Sequence, residues 1–200
     1  MALSIFILFL LCFNYSLAAT QAGPDAIASQ YALTTSTSMP FPTATMSSAD
    51  TEAVIVDGWG PGKGKIQDNA PNLAFVADPF PDSPPPVTKS STSPTSPVLR
   101  VTYPNGSYSH DTGGAQFYTL WNASDGSSFN TMMVTYEVAF AAGFDWVKGG
   151  KLPGLRGGLN SSGCSGGNES NGLDCFSSRL MWRKDGAGEG TLFPFYLCLY

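Results

Sequence analysis

Residues Ser177 to Lys184 read SSRLMWRK, and this run constrains the fold more than any other stretch. Its side chains alternate with period two, as in a strand. Ser177, Arg179, Met181 and Arg183 fall on one side; Ser178, Leu180, Trp182 and Lys184 fall on the other. Leu180 and Trp182 suit a core. Ser177 and Arg179 then share the opposite face, about 7 Å apart along the strand. A hydroxyl and a guanidinium there, near a lysine from the preceding glycine-rich turn, make a site for a carboxylate-bearing ligand. The same pattern also describes an ordinary half-exposed strand.

Other short runs have strand character. They are Leu73 to Val76, Val98 to Tyr103, Ala115 to Trp121 and the longest, Met132 to Phe140; Ala53 to Val56 is a weaker one. Glu137 of the longest run is expected to face solvent. Pro (15) and Gly (22) are plentiful, and no amphipathic helix is evident after Thr51. Short strands separated by Gly, Pro and Asn turns predict an all-β, jelly-roll-like antiparallel β-sandwich. Residues 79–97 are too rich in proline for a helix or a central strand and read as a surface loop. Residues 20–50 read as a low-complexity segment with little packed structure, and 51–200 as the domain proper. Thr191 to Tyr200 (TLFPFYLCLY) is almost wholly apolar, so it packs on the sheet or the sandwich is incomplete at that end.

Charge is unevenly placed. Six of the ten Lys and Arg lie between Lys148 and Lys184, opposed there only by Glu169 and Asp174. That window is +4, and the remainder, with four basic groups against thirteen acidic ones, is −9. A cationic island on an acidic chain attracts anions, although a solvated basic face has the same composition. The formal net charge of −5 argues against nucleic acid as a partner.

Residues 1–19 carry a short apolar run followed by Ser16, Leu17, Ala18 and Ala19, the pattern of a cleaved secretory signal peptide. A signal anchor is the alternative; no second apolar run of spanning length follows, so no membrane association is expected after cleavage. Secretion suits the four sequons at Asn105, Asn122, Asn160 and Asn168, each a candidate glycosylation site. Cys12 leaves with the signal. Cys164 and Cys175 are the natural disulfide pair across a glycine-rich loop, which leaves Cys198 over.

Much familiar chemistry is missing. The single histidine, His110, sits in a turn, no GxSxG elbow is present, and no His/Cys/carboxylate spacing suggests a metal. No cofactor is expected. The glycines of residues 57–65 do not form a phosphate loop.

The segments NTMMVTYEVAF, FDWVKGGKLPGL and CFSSRLMWRKDGAGE together resemble the secreted fungal members of polysaccharide lyase family 14, with a likeness running from about Trp59 to Glu189. The resemblance implies a β-jelly roll and β-elimination on a uronic-acid polysaccharide such as alginate or glucuronan. It implies that Lys151, Ser177 and Arg179 are the catalytic-site residues; Lys148 and Arg183, from the basic island, are candidate substrate contacts beside them. Cations beside a uronate stabilise the charge that develops when the C5 proton leaves. The family also has a Y-x-Y strand about fourteen residues after the motif serine. Here those positions are Thr191 and Phe193, and Tyr196 falls out of register. The resemblance therefore implies a lyase-like protein, which a truncated domain without these tyrosines would leave inactive. The alternative is a non-catalytic carbohydrate-binding protein that keeps the basic residues as uronate contacts.

Overall fold

The computed structural model describes residues 23–60, 66–81, 96–160, 163–164 and 171–193. The expected signal peptide, Cys12, Asn168, Cys198 and most of the proline-rich loop lie outside these residues.

The described residues begin with α1 (Pro24–Gln30) and α2 (Ser48–Gly58). Helix α2 replaces the weak strand expected over Ala53 to Val56. Ser47 caps it: its Oγ accepts from the Asp50 amide at 3.3 Å and donates to the Asp50 carboxylate at 2.7 Å. Thr51, Ile55 and Trp59 recur at every fourth position and are all buried, a helical spacing that outweighs the strand preference of the Val-Ile-Val run. A short 3-10 turn (Ala70–Asn72) leads into β1 (Leu73–Val76), which pairs antiparallel with β2 (Val98–Val101). Helix α2 lies on this pair. Ile55, Trp59, Ile66, Leu73 and Phe75 form the core, with Met39, Met46, Leu99 and Phe117 packed against it. The Thr51 hydroxyl accepts from the buried Phe75 amide at 3.1 Å. Part of the segment expected to be loosely packed thus closes this core: Phe41 lies against Trp59 and Phe75, and Pro40 O accepts from Trp59 Nε1 at 2.7 Å.

After α3 (Ser109–Thr112), the two aromatic runs differ from expectation. Residues 115–121 contribute isolated bridges, at Gln116 to Asp68 and at Thr119, and residues 132–140 have no strand structure. Alternation reports which side chains share a side, but a strand also needs a partner ladder. Val134 and Val138 are accordingly exposed, as is Glu137.

The second sheet has the order β3-β4-β5, from β3 (Gly150–Gly157), β4 (Phe176–Trp182) and β5 (Gly188–Phe193), all antiparallel. Strand β4 is the expected alternating run. Strand β3 corrects the sequence reading, which placed Lys151 in a turn. Trp182 is buried and meets Tyr103 at 5.3 Å, Phe140 at 5.5 Å and Phe144 at 6.1 Å between ring centroids. Gly150 lies opposite Trp182, and any Cβ there would strike the indole ring. Leu180, expected in the core beside Trp182, is instead half exposed because the aromatic cluster gathers at the Trp182 end of the strand. Both sheets are antiparallel, and the described chain is β-rich with few helices.

Candidate functional site

The cationic residues share a face through an irregularity in β3. Lys151 pairs with Met181 and Gly154 with Arg179, so three steps on β3 match two on β4. Leu152 and Pro153 together oppose Leu180, which is a β-bulge. Proline suits this position because it has no N–H to give to a ladder. The extra residue reverses the alternation of β3. Lys151 and Arg156 are five residues apart, and a regular strand would put them on opposite faces. Across the bulge they stand on the same face, opposite Met181 and Ser177. Gly154 keeps the passage narrow, since a Cβ there would meet Ser178 O and lie 2.8 Å from Arg179 Cα.

That face therefore carries Lys151 and Arg156 from β3, Ser177, Arg179 and Met181 from β4, and Glu189 from β5. Lys151 and Arg156 lie about four β4 residues apart, roughly 13 Å by strand rise, with Arg179 between them. Lys151 is exposed, whereas Arg156 and Arg179 are half-buried. Ser177 is 1% exposed, and its Oγ accepts from Arg179 Nε at 3.1 Å. This bond fixes one edge of the guanidinium. The buried hydroxyl thus orients the arginine.

Each end of the row is tied down. At one end, Arg156 Nη2 donates to Gly163 O at 2.7 Å, and its guanidinium lies 5.4 Å from the centre of the Tyr118 ring. Gly163 adjoins the Cys164–Cys175 disulfide, whose Cα atoms are 5.8 Å apart. At the other end, Arg183 makes a two-pronged ion pair with Glu189, at 2.5 Å from Nε and 2.7 Å from Nη2. The carboxylate hydrogen bond raises the Arg183 pKa above its ordinary value. Tyr136 donates from its hydroxyl to Pro153 O, the bulge carbonyl, at 3.1 Å, and burial pushes its phenol pKa up.

Residues 91–195, just over half of the chain, match the family model for polysaccharide lyase 14. The chain belongs to the polysaccharide lyase 14 family. No curated protein and no solved structure matches it.

Within this polysaccharide lyase 14 region, Lys151, Ser177 and Arg179 come together on one face. Arg183 is engaged with Glu189, and Lys148 is exposed just before β3. The register also locates the two positions where the resemblance looks for tyrosine. Thr191 lies opposite Arg179, and Phe193 lies opposite Ser177. Cys164 and Cys175 form the expected disulfide. Asn105, Asn122 and Asn160 are exposed. His110 lies in α3, away from these strands in sequence, and its side chain is outside the described residues. Among the described residues no cluster of His, Cys, Asp or Glu could hold a metal ion, and no helix is long and apolar enough to cross a membrane.

Sequence reasoning counted Arg156 in the basic island without placing it at the site. Simple alternation from Lys151 points it to the wrong face, and the available signal was Pro153 inside KLPGLR. Tyr136 was likewise read as a strand residue; its contact with Pro153 crosses seventeen residues and leaves no local trace.

Proposed function

We propose that this protein binds an acidic, uronic-acid polysaccharide such as alginate or glucuronan across the Lys151–Arg179 face, in a site of the β-elimination type. The observation that carries the reading is the bulge, which brings Lys151 to the face that holds Ser177 and Arg179. In such a reaction Arg179 and Lys151 neutralise the uronate carboxylate and make the C5 proton more acidic. A base removes that proton, the C4–O bond breaks, and a C4–C5 double bond forms. The departing oxygen takes a proton. Arg156 and Lys148 extend the row to neighbouring carboxylates, and Arg183 serves where a ligand competes with Glu189.

Turnover is slow in this reading. Thr191 and Phe193, opposite Arg179 and Ser177, have no group able to carry the proton. Acid–base help is worth about 10²–10⁴-fold, so a chain without it binds far better than it cleaves. This favours the non-catalytic binding role as the second reading. We further propose a secreted protein, with the 1–19 segment as its signal peptide, glycans on the exposed sequons, and β3-β4-β5 as part of a jelly-roll sandwich. The disulfide supports the oxidising compartment.

The test is binding and cleavage of alginate and glucuronan by the purified chain. Binding that weakens with salt and in Lys151→Ala or Arg179→Ala, with little gain in unsaturated-product absorbance, is the expected result. Equal binding by the double variant, or by neutral glucans, refutes the site. Rapid product formation refutes the assignment of slow turnover.

A further inference from the structure

Beyond the cationic face, a cleft of about 510 Å³ opens where the 144–147 segment meets the turn after β4. It is lined by Phe144, Asp145, Trp146, Val147, Lys184 and Asp185. Its composition differs from that of the cationic face. Two carboxylates and one ammonium surround an aromatic floor, so the cleft has no excess positive charge with which to attract a polyanion. Hydroxyl groups donate well to carboxylates, and the apolar face of a sugar ring packs on an indole.

The cleft is held in shape from several sides. Trp146 contacts Phe140 at 4.5 Å and Phe144 at 4.8 Å between ring centroids. The Asp185 amide donates to Trp146 O at 3.2 Å, joining the two loops. Gly186 lies over the indole with φ +78, and a Cβ there would sit 3.3 Å from the ring. Asp185 itself has φ 64, a left-handed conformation that Asp tolerates better than most residues. Trp146 is half-buried, while Asp145, Val147, Lys184 and Asp185 are exposed.

The cleft also adjoins the cationic row. Val147 precedes Lys148, and Lys184 follows Arg183. Gly149 lies so close to Arg183 that a Cβ would come within 3.2 Å of its Cδ. Arg179 and Arg183 are four residues apart, about 13 Å if fully extended. A polymer seated on Arg179 and running toward Arg183 therefore reaches the cleft within a few sugar units.

We propose that this cleft is a separate sugar subsite, which takes a pyranose ring of the same polysaccharide through its apolar face and hydroxyls. Trp146 provides the platform, and Asp145 and Asp185 accept hydrogen bonds from sugar hydroxyls. Lys184, on the rim, meets the ring's carboxylate where one is present. The inference rests on the polysaccharide reading of the cationic face, but the forces differ. Salt screens a charge row strongly and hardly affects stacking or neutral donors.

The experiment titrates the full chain with a uronic-acid hexasaccharide at low and high salt, following tryptophan fluorescence. Trp146→Ala is expected to weaken binding by roughly tenfold at both salt concentrations, on the scale of aromatic and cation contacts. The weakening from Arg179→Ala should shrink as salt rises. Asp145→Asn tests the cleft without disturbing the aromatic cluster and should weaken binding severalfold at both concentrations. Unchanged affinity in Asp145→Asn and in a folded Trp146→Phe,Asp185→Asn variant overturns the subsite. So does a Trp146→Ala effect that vanishes with salt. If the wild type binds no uronic-acid oligomer, the reading of the cationic face fails, and a neutral cello-hexasaccharide then tests the cleft alone. Binding lost in Trp146→Ala supports the subsite, and no wild-type binding overturns it.

Discussion

Inserting a glycine between Pro153 and Gly154 tests the argument that residue count in β3 builds the site. The insertion leaves every charged group in place. With the single-residue bulge kept, the added residue moves Lys151 one step along β4, from Met181 to Trp182. A one-residue change turns every side chain beyond it to the other face. Lys151 would then leave the face of Ser177 and Arg179, while Arg156 would stay. The affinity at stake is that of one charge-assisted contact, about 1.5–3 kcal/mol. At 1.4 kcal/mol per decade this is roughly a ten- to hundredfold loss in affinity. Deleting Pro153 is the complementary change. It removes the bulge but leaves Lys151 opposite Met181, so Lys151 and Arg156 stay on one face and binding should hold. The deletion also loses the exposed bond from Tyr136 to Pro153 O, at the low end of about 0.5–1.5 kcal/mol. Pro153→Ala keeps the count and the carbonyl, and should bind nearly as wild type. The assay is affinity for an acidic polysaccharide at low salt, with thermal melting as the check on folding. A folded insertion variant that binds like wild type, beside a Lys151→Ala variant that does not, would refute the reasoning.

Three further expectations concern stability. Replacing Cys164 and Cys175 with serine should cost about 3 kcal/mol by the loop-closure estimate for a separation of 11, read as a lower urea midpoint; an unchanged midpoint would show that Arg156 and Asn160 hold the loop without the bond. Gly154→Ala should lower the melting temperature by an overpacking cost of about 1–3 kcal/mol, because its Cβ meets strand backbone rather than a movable side chain. Burial raises the pKa of both Tyr103 and Tyr136, so the folded chain holds those protons more tightly than the unfolded chain. Their contribution is complete below the unfolded tyrosine value near 10 and is lost as pH rises through the folded values. Stability should therefore fall above about pH 10, and less steeply in Tyr103→Phe; an equal slope in that variant would refute the assignment.

The sequence disclosed β4 because its alternation, its buried end at Trp182 and its ladder all agree. It disclosed β1 and β2 as short apolar runs between turn residues, and it disclosed the disulfide because few cysteines were available. Other elements depended on distant partners. Val54, Ile55 and Val56 favour a strand locally, yet Thr51, Ile55 and Trp59 each have a place against β1 only if the segment is helical. The Thr51 hydroxyl, which serves the Phe75 amide, decides that contest from across the core. The run from Met132 to Phe140 errs the other way. Its alternation is clean, but Tyr136 turns to the β3 bulge and Phe140 to the Trp182 cluster, so its side chains are used without a ladder.

The site was readable as residue types and unreadable as an arrangement. Lys151, Ser177 and Arg179 are distinctive because the resemblance names them, and spacing within β4 does place Ser177 beside Arg179. Nothing in that spacing relates either residue to β3. Their relation to Lys151 depends on the parity of a neighbouring strand, and a single unpaired residue reverses parity. Pro153 was the one local clue, since a proline inside a paired strand calls for an edge or a bulge. The same logic carries to β5. Thr191 and Phe193 matter because the ladder sets them opposite Arg179 and Ser177, a relation that counting fourteen residues only approximates. Chemistry in this protein thus depends on register as much as on composition. A change that preserves every charge but moves Lys151 out of register with Met181 should weaken the face about as much as Lys151→Ala.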